Sequence, residues 1–164
     1  MQRDLWFDDF AVGQNFTTAG CTLSEAQILE FGWAHDPQPF HIDLEAARLG
    51  PFGGVIASGF QTLLVAFRLV YQERIINAAS LGSPGLDELR WLRPVRPGDT
   101  LSVTGEVVAV RPSASKPDRG LVTAAYTVTA QDGGAVMTFR AMHLLRRRPV
   151  PPQASVEIGT RSGS

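Results

Sequence analysis

One run of residues constrains this chain more than any other. From Gly59 to about Ala78 the sequence reads as a single helix, and within it Leu63, Leu64, Val65, Ala66 and Phe67 are consecutive and apolar. A helix that is apolar almost all round has no face to give to water, so something must enclose it. The second half of the chain supplies the means, because its apolar period drops to two. Leu86–Leu92 reads as a strand ended by Pro94, and Thr100–Val110 as another after the Pro97-Gly98-Asp99 turn. Val122, Ala124, Tyr126 and Val128 alternate with Thr123, Ala125, Thr127 and Thr129, which marks a third strand. Gln131-Asp132-Gly133-Gly134 has hairpin chemistry and leads into a fourth, Val136–Arg147. The expectation is an α+β fold. Four consecutive antiparallel strands form meander-like hairpins, one edge strand returns to them, and the sheet curls around the long helix. An open sandwich with the helices on one face is the alternative. Leftover sheet edges favour pairing with a second copy, so a homodimer or higher homo-oligomer is expected.

The returning strand is Gly13–Cys21, where Thr17 and Thr18 favour extended backbone. Thr22 and Glu25 have the spacing of a capping box and open a helix over TLSEAQILEFGWAHD. Ala26, Leu29 and Trp33 set its apolar face, widened by Ile28 and Phe31. Pro37 and Pro39 stop that helix and leave a loop to Phe40. Asp43 caps a short helix, Leu44–Leu49, and Ser58 caps the long one. The chain has 164 residues, 44% of them hydrophobic, enough for one sizeable core. Residues 1–148 are therefore read as one domain. Residues 149–164, rich in Pro, Ser and Gly, are read as a flexible tail.

Composition removes several functions. A net charge of -1 argues against a dedicated nucleic-acid binder. The single cysteine, Cys21, rules out an internal disulfide or a cysteine zinc cluster. No apolar stretch reaches the roughly 18–20 residues of a membrane span. The acidic start MQRDLWFDDF does not resemble a signal peptide, so a cytoplasmic protein is expected. Phosphate-cradling glycine motifs and a G-x-S-x-G elbow are missing from the sequence. His35, Asp36 and His41 lack an evident fourth ligand, so no metal is expected.

Two segments remain where chemistry is concentrated. Ala34-His35-Asp36-Pro37-Gln38-Pro39-Phe40-His41 places a carboxylate and two imidazoles in a turn stiffened by two prolines. Asp36 and His41 can then be presented toward one point and can hold one water between them as base and acid near neutral pH. An Asp that merely caps a helix and a His packed on Phe40 is the structural alternative. Ile56-Ala57-Ser58-Gly59-Phe60 is the second segment. A helix start offers free amides, and a glycine there lets a carbonyl oxygen approach the backbone, the geometry of an oxyanion hole. Ser58 and Phe60, on either side of that glycine, are the expected substrate contacts.

These residues carry a resemblance. Asp36-Pro37-Gln38-Pro39-Phe40-His41, with Pro51-Phe52-Gly53-Gly54, Ala57-Ser58-Gly59 and Arg93-Pro94-Val95-Arg96-Pro97-Gly98-Asp99, is similar to the MaoC-type dehydratase family. That family includes the (R)-specific enoyl-CoA hydratases, whose signature is D-x-N-P-x-H, and the likeness runs from about Phe7 to Leu145. The resemblance implies a hot-dog fold and reversible syn hydration of a trans-2-enoyl thioester, with no cofactor beyond the CoA of the substrate. It implies Asp36 as base, His41 as its partner in proton transfer, and the Gly59 amide as donor to the thioester oxygen. The sequence departs from the pattern at His35, at Gln38 in place of Asn, at Ser58 where several hydratases carry His, and at Phe67 near a further site serine. A hot-dog thioesterase and a non-catalytic acyl-CoA-binding subunit remain as alternatives.

An anionic CoA needs positive charge. Residues 1–45 sum to -7 and the remainder to +6. Arg93 and the loop residues Arg111 and Ser115 are the expected CoA contacts, the loop also carrying Ser113, Lys116 and Arg119.

Overall fold

The computed structural model describes residues 5–76 and 79–149. Its strands are β1 (Asn15–Thr17), β2 (Cys21–Thr22), β3 (Leu86–Trp91), β4 (Thr100–Pro112), β5 (Arg119–Thr129) and β6 (Ala135–Arg146). They form one antiparallel sheet in the order β1-β4-β5-β6-β3, with β2 also paired to β4. The helices are α1 (Glu25–His35), α2 (Pro39–Ile42), α3 (Leu44–Leu49) and α4 (Gly59–Gln72). Alternation along the three long strands builds the core. Leu101 and Val103, Ala124, Tyr126 and Val128, and Met137, Phe139 and Ala141 are buried and face Ala66, Leu69 and Val70 of α4. A curved sheet holding one long helix is the hot-dog fold, as expected.

The strand order differs from the expectation. β4, β5 and β6 form the meander, but β3 does not fold back onto β4; it lies beyond β6, at the far edge. The connection from Leu92 to Asp99 explains this. Instead of turning tightly it crosses the start of α4, where the Ala57 N–H donates to the Val95 carbonyl at 2.8 Å and the Val95 side chain is buried. The expected strand Gly13–Cys21 is split in two. The Thr18 hydroxyl accepts from the Val103 N–H at 3.0 Å, so a side chain replaces the backbone at that rung.

Helix ends moved as well. Ser24, not Thr22, caps α1, in a box with Gln27: the Ser24 N–H donates to Oε1 at 2.9 Å and the Gln27 N–H to the serine hydroxyl at 3.3 Å. Thr22 belongs to β2, its hydroxyl 2.7 Å from that of Thr100. The buried face of α1 is Ile28 and Gly32, while Trp33 is exposed. Pro39 does not merely end structure. It starts α2, because the first position of a helix does not need its N–H. Gly32 brings the two helices together: a β-carbon there would lie 2.7 Å from the His41 carbonyl oxygen and 2.8 Å from Ile42 Cγ2. Only a bare backbone lets α2 pack this close.

The long helix is also not enclosed all round. It ends at Gln72, short of Ala78, which lies outside the described residues. Thr62, Ala66, Leu69 and Val70 are buried, but Phe60, Leu64 and Phe67 form an exposed apolar stripe on the other side. The expected tail, apart from Pro149, falls outside the described residues. Among those described, no helix is long and apolar enough to cross a membrane.

His143 on β6 is a core residue, its Nε2 2.7 Å from the buried Tyr126 hydroxyl. Burial pulls its pKa down to about 4, so it stays neutral when folded while the unfolded chain takes up a proton near 6.5. The unfolded state then binds more protons between those values, and stability falls as the pH drops from about 6.5 toward 4, by roughly 3 kcal/mol in all. Urea denaturation across that range should show this loss, and His143→Gln should flatten it.

Candidate active site

Helix α1 terminates at Asp36, whose N–H still reaches the Gly32 carbonyl at 2.9 Å. The Gln38 N–H then donates to the Asp36 carbonyl, and the His41 N–H to that of Gln38, each at 2.8 Å. This winding leads straight into α2 and turns the Asp36 and His41 side chains toward each other. His41 Nε2 lies 3.4 Å from Asp36 Oδ2. The other ring nitrogen, Nδ1, is 2.7 Å from the Ile56 carbonyl. A carbonyl only accepts, so Nδ1 carries the hydrogen. In the neutral ring Nε2 is then a lone pair facing a carboxylate lone pair. Two acceptors at that separation call for a donor shared between them, and one water can give a hydrogen to each. The imidazole is buried and packs edge-on against Phe40, with ring centroids 4.6 Å apart. The packing alternative and the paired geometry are therefore both present.

Asp36 is held from two further sides. The Ser58 hydroxyl donates to Oδ2 at 2.7 Å, and the Gln38 amide donates to Oδ1 at 2.9 Å. Burial pushes the Asp36 carboxyl up, but the Ser58 and Gln38 hydrogen bonds and the neighbouring His41 outweigh it and hold the pKa below the ordinary 3.8. Gln38, where the family pattern has Asn, thus supplies a bond to the acid itself. Ser58 is 1% exposed and does not face the cavity. The expectation of a substrate contact is corrected: its hydroxyl donates to Asp36 and accepts from the Phe60 N–H at 3.2 Å, capping α4.

Gly59 opens α4, so its amide has no acceptor within the helix and sits at the positive end of the helix dipole. Asp36, His41 and Gly59 line one cavity of about 400 Å³, walled by Phe40, Phe52, Trp91 and Val95. Glycine is also needed here for a steric reason. A β-carbon at Gly59 would lie 2.4 Å from Trp91 Cε2, so the space over this residue is filled by the indole. Phe60 lines the same cavity and stands edge-on to Trp91, with ring centroids 5.8 Å apart.

The basic residues fare otherwise. Arg93 lies on the cavity wall, but its guanidinium is committed to Asp132 through two bonds of 2.7 and 2.6 Å, which pin the β5–β6 turn. Arg111 and Ser115 do not line the cavity. Arg111 is nine residues beyond Ser102 along β4, roughly 30 Å of extended chain, at the opposite end of the sheet. The chain does not bring them to its own site. His35 also turns away. It packs on Phe31 at 4.8 Å and lines a separate cavity of about 640 Å³ between α1 and α4. Trp91, Phe52 and the Ile56 carbonyl were not foreseen as parts of the site. Phe52, in the Pro51-Phe52-Gly53-Gly54 stretch, and Ile56, in the Ile56-Ala57-Ser58-Gly59-Phe60 segment, carried a sequence signal; Trp91 did not.

An acid–imidazole pair set against a free helix-end amide in one apolar cavity, on a hot-dog scaffold, defines the hydratase and dehydratase class of that fold. The chain belongs to the MaoC-like dehydratase family: the model of the MaoC like domain matches residues 9–132. It is 34% identical over 116 residues to 3-hydroxyacyl-thioester dehydratase Z of Mycobacterium tuberculosis, covering 70% of this chain and 74% of the relative. It is 34% identical over 109 residues to the uncharacterized protein YdeM of Bacillus subtilis, covering 66% and 77%. Among solved structures, a MaoC-like dehydratase from Rhodospirillum rubrum superposes with a TM-score of 0.83 at 39% identity, covering 89% of this chain and 99% of that one.

The bond from Ser58 to Asp36 makes a direct prediction. Ser58→Ala removes a donor from the ionised carboxylate, so the Asp36 pKa should rise, read by carbon-13 NMR of the side-chain carboxyl against pH. Ser58→Thr, which keeps the hydroxyl, should restore the lower value.

Proposed function

We propose that this protein adds water reversibly across the 2,3 double bond of a trans-2-enoyl thioester of CoA. The observation that carries this reading is the shared cavity in which Asp36 and His41, 3.4 Å apart, face the first amide of α4. The thioester oxygen accepts from the Gly59 N–H, which polarises the conjugated system toward an enolate. A water held by Asp36 Oδ2 and His41 Nε2 attacks C3. One of its protons passes to the pair as the carbon–oxygen bond forms, and the π electrons move through C2 onto the thioester oxygen. The enolate collapses, C2 takes the proton back from the pair, and a 3-hydroxyacyl thioester results. Atoms and electrons balance with water alone, so the reading calls on no cofactor. Running backward, the same steps dehydrate a 3-hydroxyacyl thioester, the substrate for which the mycobacterial relative is named.

Crotonyl-CoA separates the readings. Hydration removes the enoyl absorbance without free thiol, hydrolysis releases thiol, and a binding subunit does neither. Asp36→Asn should keep the fold and lower kcat by about 100- to 10,000-fold, the usual reach of general acid–base catalysis. Full activity in that variant would falsify the assignment of Asp36.

The expected homodimer has support in two features. The outer edge of β3 is unpaired among the described residues, and the Phe60, Leu64 and Phe67 stripe lies exposed on α4. Sedimentation equilibrium should give twice the chain mass, and Leu64→Lys should shift the population toward the monomer.

A further inference from the structure

The proposed reaction develops negative charge on one oxygen, and so far a single amide has been assigned to it. The structure places a second donor beside that amide. Trp91, the last residue of β3, lays the pyrrole edge of its indole over Gly59. A β-carbon built on Gly59 would lie 2.5 Å from Trp91 Nε1 and 2.4 Å from Cε2. In any residue the amide nitrogen and the β-carbon are about 2.5 Å apart, given an N–Cα bond of about 1.46 Å. The Gly59 amide nitrogen and the indole nitrogen are therefore no more than about 5 Å from each other. One oxygen can then sit within hydrogen-bond distance, about 2.9 Å, of both.

The indole N–H is available. Among the described residues nothing accepts a hydrogen bond from it, and the residue is 48% exposed. Its ring position is nonetheless defined. The backbone of Trp91 is registered against Met137 of β6, and Phe60 stands edge-on against the indole. Both aromatic rings line the cavity that holds Asp36 and His41. The glycine at position 59 completes the pattern, because any side chain there would push the indole off the amide. A residue whose smallness serves a neighbouring tryptophan, and a tryptophan whose one polar atom is unpartnered beside an unpartnered amide, point to a common ligand atom.

We propose that the Trp91 indole N–H and the Gly59 amide together bind the thioester carbonyl oxygen, which makes Trp91 a catalytic residue. This rests on the hydration reading above. The indole donor counts most in the transition state, when the oxygen carries enolate charge, because a hydrogen bond to an anion is stronger than one to a neutral carbonyl. A merely packing tryptophan predicts something else: loss of binding or of stability when the ring is shortened, and no sensitivity to its N–H.

Two measurements decide the matter. Trp91→Phe keeps an aromatic ring in the wall, smaller than the indole, and removes the donor. It should lower kcat for crotonyl-CoA by roughly 100-fold with KM little changed, as expected for an oxyanion donor. The protein has three tryptophans, Trp6, Trp33 and Trp91, so the Trp91 indole signal in a nitrogen-15 proton spectrum is identified by its loss in Trp91→Phe. Titration of the wild type with butyryl-CoA, which binds as a thioester but has no double bond to hydrate, should move that proton downfield and leave the other two in place. An unchanged kcat in Trp91→Phe, or an indole proton unmoved at saturation, overturns the proposal while wild-type turnover leaves the hydration reading intact. If the wild type binds butyryl-CoA and shifts the indole proton but turns over no enoyl-CoA, hydration falls and the Trp91 contact stands. If no thioester binds, both fall.

Discussion

A single hydroxyl joins the two halves of the candidate site. Ser58 donates to Asp36 at 2.7 Å and accepts from the Phe60 N–H at 3.2 Å, so the acid and the first turn of α4 are fixed to one oxygen atom. Among the described residues, three further bonds stitch the layer that carries Asp36 and His41 to α4 and its approach. The Ile56 N–H donates to the Phe40 carbonyl, His41 Nδ1–H to the Ile56 carbonyl, and the Gln61 side chain to the Gln27 carbonyl. Each of these positions an element. The Ser58 bond positions the charge itself, and bonds to an ionised carboxylate are among the stronger ones available to a protein. Ser58 is itself buried, so its loss takes that donor from the carboxylate and that acceptor from the Phe60 N–H.

The close approach at Gly32 plays the complementary part. It lets α2 pack against α1 at backbone distance and so sets where His41 begins. With the helix-to-helix spacing fixed there and the acid fixed by Ser58, the 3.4 Å separation of imidazole and carboxylate follows from packing on both sides. It does not depend on the prolines alone. Pro37 and Pro39 break the helix at the right place, but Pro39 does so by starting a new one.

What the sequence revealed and what it hid divide along contact range. Asp36, His41 and Gly59 were legible because a proline-braced turn and a capped helix start are local patterns. The strands were legible because alternation is local too. The strand order was not, since β3 could lie beside β4 or beside β6 without any change in its own pattern. The placement of the two arginines was hidden for the same reason: Arg93 lines the cavity but meets Asp132 across 39 residues, and Arg111 lies at the far end of a strand whose direction no motif records. Gly59 is the most instructive case. Its place at the start of α4 is a local pattern, but the packing demand that Trp91 makes on it, from 32 positions away, is not. Capping signals failed differently. Thr22 and Ser24 both fit a box, and the sheet took Thr22.

Within the hydration reading, the geometry also divides the labour between the two side chains. A carboxylate that accepts from both Ser58 and Gln38, with its pKa held below 3.8, is a reluctant proton acceptor. Were it the only base, those two donors would work against the reaction. The His41 ring removes the conflict, because its Nδ1–H is locked on the Ile56 carbonyl and Nε2 is left as the lone pair beside the water. The imidazole can take the proton while Asp36, still ionised 3.4 Å away, stabilises the imidazolium that forms. The donors that weaken Asp36 as a base then have a use. They keep it charged, so that the attraction between acid and imidazolium is largest when the proton has just been transferred. On this account the low carboxyl pKa and the fixed tautomer are two parts of one device, and neither would serve without the other.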